Sequence, residues 1–161
     1  MDSLEEIIVE IGRLGDREYM NGKCIEVSEK LAEIGKIEAS KRFYTAPYDD
    51  GNDVNDVLVY TEGKGAEFSV VAEGEAVTFI EFGAGVHYNG TEPYPEPRPD
   101  GIVNIGDYGY KQGRKEKWYY TTPDGVKHET HGTPATMPMY HAGKAIVKAA
   151  EEVVAEVFKD I

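Results

Sequence analysis

The chain has 161 residues, with 30 acidic against 17 basic side chains and a formal charge of −13, a length that can bury a core without staples and reads as one domain over 1–161. That charge repels phosphate backbones and anionic lipid, which argues against direct binding of nucleic acid or membrane, and no run of about 18 apolar residues exists for a span. Cys24 is the only cysteine, so an intrachain disulfide is excluded and a reducing compartment is expected.

The opening Met1-Asp2-Ser3-Leu4-Glu5-Glu6 is acidic and lacks a basic n-region, so no secretory signal is expected there. Ser3 and Glu6 form a capping-box pattern ahead of Ile7, Ile8 and Ile11, which predicts a first helix that Gly12 and Gly15 should interrupt. Cys24, Val27, Leu31 and Ile34 then recur three and four apart, predicting an amphipathic helix that buries this stripe and runs to about Phe43. Pro47 disfavours helix in the residue before it, and Asp49-Asp50-Gly51 is turn chemistry.

Asp56 to Thr61 reads as a strand, Glu62-Gly63-Lys64-Gly65 as a turn, and Glu67 to Ala72 as the returning strand. Glu75 to Phe82 fits either a short helix or a buried strand; the helix is preferred, with Gly83 at a left-handed C-terminal cap and Gly85 loosening the exit. From His87 to about Arg114 the chain is rich in Gly, Pro and Tyr, with prolines at 93, 95, 97 and 99, and reads as a long extended loop. Lys117 to Thr122 and Val126 to Thr130 flank Pro123-Asp124-Gly125, a hairpin signal. Ala142, Ile146, Ala149, Val153 and Val157 share a stripe on a closing helix, with Pro138 near its first turn. The elements predict an α+β fold: N-terminal helices and a C-terminal helix packed on an antiparallel β-sheet of about four strands, with the Gly/Pro/Tyr-rich loop between.

Three segments stand in a fixed order: Ala46-Pro47-Tyr48-Asp49-Asp50-Gly51, then Phe79-Ile80-Glu81-Phe82-Gly83-Ala84-Gly85, then Gly132-Thr133-Pro134-Ala135-Thr136-Met137-Pro138-Met139-Tyr140 leading into a helix. Together they resemble the minor tail-component family of long-tailed bacteriophages, over roughly Ile34 to Ile161. In that family the segments usually read Ala-Pro-x-Asp-Thr-Gly, apolar-Glu-Phe-Gly-Thr-Gly, and a Pro-Ala segment with Arg-Pro-Phe. This chain departs at Asp50, at Ala84, and at Met137 and Met139. The resemblance implies Ala46, Pro47, Asp49, Gly51, Glu81, Phe82, Gly83, Gly85, Pro134 and Pro138 as structural motif positions. It also implies a phage or prophage virion part of the tail or neck, assembled in the bacterial host cytoplasm. Such a part acts in tail completion or head-tail joining, as a ring of copies around the DNA path beside other tail or neck proteins, with no chemistry of its own.

Candidate chemistry is sparse. His87, His128, His131 and His141 invite a metal reading, but residues 128 and 131 on a strand point to opposite faces and no HExxH or cysteine cluster accompanies them, so solvated or hydrogen-bonded histidines are expected. Asp49 to Asp56 fails the EF-hand order because Gly51 comes too early. Gly143-Lys144 lacks the first Gly and the Ser/Thr of a phosphate loop, and Gly83-Ala84-Gly85 lacks the third Gly of a dinucleotide fingerprint. Asn89-Gly90-Thr91 is a formal glycosylation sequon that secretion alone would activate.

Glu81 sits in an apolar run, where an unpaired carboxylate is costly, so it should accept backbone N–H groups or pair with a Lys or Arg across a packing boundary. The expectation is no enzyme, catalytic residue, cofactor or metal. The alternatives are a small metal-assisted hydrolase using Glu81 and the histidines, or a monomeric protein-binding module. Tyr94, Tyr108, Tyr110, Trp118 and Tyr119, in the loop and hairpin, suit a protein contact surface or a cover for the sheet.

Overall fold

The computed structural model describes residues 4–46, 48, 56–83, 118–122, 124–130 and 135–159. Helix α1 (Leu4–Gly15) runs through Gly12 without interruption and stops at Gly15. Asp16 then takes an extended conformation (φ −80°, ψ 111°), and its side chain accepts the amides of Glu18 at 2.9 Å and Tyr19 at 3.3 Å. That cap satisfies donors a helix start leaves open, and it begins α2 (Arg17–Thr45) as a separate helix. At the far end Ala46 is extended (φ −66°, ψ 134°), as a residue preceding proline must be, and its N–H donates to Phe43 O at 3.2 Å.

The buried face of α2 is Ala32, Gly35, Ala39 and Phe43, whereas Cys24 is exposed and Val27, Leu31 and Ile34 are only half-buried. The expected stripe is therefore displaced round the helix. The cause is steric: α2 is wedged between the C-terminal helix on one side and a hairpin on the other, so small residues occupy the line of closest approach. A Cβ on Gly35 would lie 2.6 Å from Ile146 Cδ1 and 3.0 Å from Val70 Cγ2, one from each neighbour.

That hairpin is β1 (Leu58–Lys64) and β2 (Glu67–Glu73), antiparallel with Leu58 opposite Glu73 and Lys64 opposite Glu67. The turn is Gly65-Ala66, with Gly65 at φ +62°, so Glu62, Gly63 and Lys64 belong to the strand and not to the expected turn. Gly63 is needed there because the Phe68 ring lies across it where a Cβ would stand. Asp56, expected to open the strand, lies ahead of it and instead holds the chain just before the next element: its carboxylate accepts Glu75 N at 3.1 Å and Ala76 N at 3.4 Å. That element is α3 (Val77–Phe82), the short helix preferred above.

A second antiparallel hairpin, β3 (Trp118–Thr121) and β4 (Lys127–Thr130), closes through Asp124 and Gly125, the latter at φ +85°. The fold is α+β with four antiparallel strands among the described residues, divided into two hairpins. Helix α4 (Pro138–Val157) completes it. Its stripe follows the expected periodicity, with Ala142, Val153 and Val157 buried and Ile146 and Ala149 half-buried. α4 runs antiparallel to α2: Ala142 packs with Ala39 and Phe43 at one end, and Lys23 Nζ donates to Val157 O at 2.8 Å at the other. Lys30 bridges Glu156 at 2.9 Å beside it.

The main core joins Ala39, Phe43, Ala76, Ile80 and Ala142, and the hairpin contributes Val59, Val70 and Ala72. A smaller cluster of Ala135 and Met137 is covered by Phe82 and Tyr140. The long loop from His87 to Arg114, with Tyr94, Tyr108 and Tyr110, lies outside the described residues, as do Pro47, Asp49, Gly51, Gly85 and Pro134.

Candidate functional site

The three sequence segments meet in one place. From the first, Ala46 and Tyr48 pack on the main core, and the Tyr48 ring stacks on Phe79 of the second at a centroid distance of 6.4 Å and an interplanar angle of 16°. The second and third are joined by backbone: Thr136 N–H donates to Ile80 O at 2.9 Å, and Thr136 Oγ1 donates to the same oxygen at 3.4 Å.

Glu81 makes the decisive contact. It is 4% exposed, and its Oε2 accepts Met139 N at 2.7 Å while its Oε1 accepts Tyr140 N at 3.1 Å. These are the second and third residues of α4, the donors that an N-cap side chain normally satisfies. The N-cap residue itself, Met137, is in the left-handed region (φ 51°, ψ 49°), is buried, and makes no side-chain cap. Pro138 follows at the first helical position, where its lack of an N–H removes one open donor. Glu81 thus caps α4 from α3, and its charge sits at the positive end of the helix dipole. The expected role, accepting backbone N–H groups across a packing boundary, is what the carboxylate performs.

Directly after Phe82 the chain turns at Gly83, whose φ of 77° with ψ of 158° is open to glycine far more than to other residues. The φ is positive as expected, while the ψ is more extended than that of a left-handed helical cap. Gly83 N–H donates to Phe79 O at 2.9 Å and so ends α3.

The hydrolase alternative draws no support from this geometry, since both oxygens of Glu81 are committed to backbone amides. His141 is 8% exposed in the first turn of α4, with its ring edge-on to Tyr140 at 5.4 Å, and is therefore not a solvated histidine. His128 is half-buried on β4, and His87 and His131 lie outside the described residues. Among the described residues no three His, Cys, Asp or Glu side chains gather as a metal site would require. Near His141, the Glu38 carboxyl is held below its ordinary value, first by the hydrogen bond from Arg42 Nε at 2.6 Å. Lys144, in the segment that superficially suggests a phosphate loop, places its ammonium 5.4 Å over the Tyr140 ring.

The chain matches no family model, no curated protein and no solved structure. No helix among the described residues is long and apolar enough to cross a membrane.

Of the aromatic contact candidates, Tyr119 is half-exposed on β3, its hydroxyl donates to Glu129 Oε2 at 3.2 Å, and Lys127 lies 5.4 Å over its ring. Trp118 begins the same strand. One surface escaped the sequence reading: Ile8, Ile11 and Leu14 of α1 are 60%, 64% and 52% exposed. Their spacing of three was visible as helix periodicity, but periodicity alone does not say whether a stripe faces its own core.

Proposed function

We propose that the chain is a structural protein of a bacteriophage or prophage particle, a minor tail component acting in tail completion or head-tail joining. It assembles as a ring of copies around the DNA path, contacts other tail or neck proteins, and catalyses nothing. The observation that carries this reading is the Glu81 cap on α4. Of the three segments that carry the family resemblance, the second reaches the third through this carboxylate and through Ile80 O, and the first reaches the second through Tyr48. Residues whose work is to lock a helix into a core suit a subunit whose task is to hold shape within an assembly.

The acidic surface fits the same role, because a wall of charge −13 per copy repels DNA phosphates and lets the duplex pass without adhering. Labelled electron microscopy of intact particles tests the reading, with label expected at the tail or neck in a ring-like set of copies. Particles that assemble fully and carry no label when the gene is deleted and supplied in trans would refute it.

A further inference from the structure

We draw no further inference here: the strongest candidate, the exposed apolar patch of Ile8, Ile11 and Leu14 on α1, carries nothing because nothing among the described residues shows what covers it.

Discussion

Replacing Glu81 with Ala strands two amide donors in the first turn of α4. The carboxylate is 4% exposed and accepts Met139 N and Tyr140 N at 2.7 and 3.1 Å. A buried donor left unsatisfied costs about 1–3 kcal/mol, which overlaps with the about 0.5–2 kcal/mol of a lost N-cap because the same amides are involved. The negative charge at the helix start adds up to about 2 kcal/mol in a partly buried setting. Without double counting, Glu81→Ala should destabilise the fold by about 3–4 kcal/mol. At about 2–4 °C per kcal/mol for a chain of this size, Tm should fall by about 6–16 °C.

Glu81→Gln keeps the shape and one acceptor oxygen but turns an NH2 group toward the other donor, so half of that loss is expected, about 1.5–2 kcal/mol. Urea unfolding followed by circular dichroism measures both, and hydrogen exchange at Met139 and Tyr140 should report faster opening of those two amides in particular. A Glu81→Ala protein within about 0.5 kcal/mol of wild type, or a Gln variant weaker than the Ala variant, would show that the carboxylate is not the cap of α4.

Gly83→Val forces a β-branched residue into φ 77° and should cost about 1–3 kcal/mol in a thermal or urea melt; in the virion reading the same variant should block particle completion. Gly35→Val should destabilise by about 1–3 kcal/mol in the same assay, because its Cβ would meet Ile146 Cδ1 at 2.6 Å and Val70 Cγ2 at 3.0 Å. Gly22→Ala, an exposed position in the same helix with nothing within 4 Å of a new Cβ, should instead stabilise by about 0.5–1 kcal/mol. The Tyr60 hydroxyl donates to Glu73 Oε1 at 2.7 Å, and this hydrogen bond, with desolvation and the glutamate charges, pushes its pKa up to about 12. A pKa raised on folding means that the stabilisation is complete below the ordinary tyrosine value of about 10 and is lost as pH climbs from there through about 12. Ultraviolet titration of tyrosinate should therefore show a late-ionising component that Glu73→Gln moves to lower pH.

Local chemistry was legible in the sequence wherever the information is local. The stripe of α4, the short helix before Gly83, and the hairpin around Asp124-Gly125 follow from periodicity and turn residues within a few positions of one another. The halt of α2 before Pro47 is equally local, since the proline ring restricts Ala46 directly. At Glu81 the chain alone indicated that a carboxylate in an apolar run must find donors. It could not say that they lie 58 and 59 residues away on α4, because that pairing exists only once α3 is set against the start of α4.

The buried face of α2 belongs to tertiary structure for a related reason. Its apolar residues offer more than one stripe, and the face that wins is the one whose small residues, Ala32, Gly35 and Ala39, admit two neighbours at once. On α1 the apolar face was evident, but its exposure was not. Hydrophobic spacing describes a helix and the side it prefers to bury; what that side meets is set by the surfaces the rest of the fold leaves beside it, and for α1 the described fold leaves that side open.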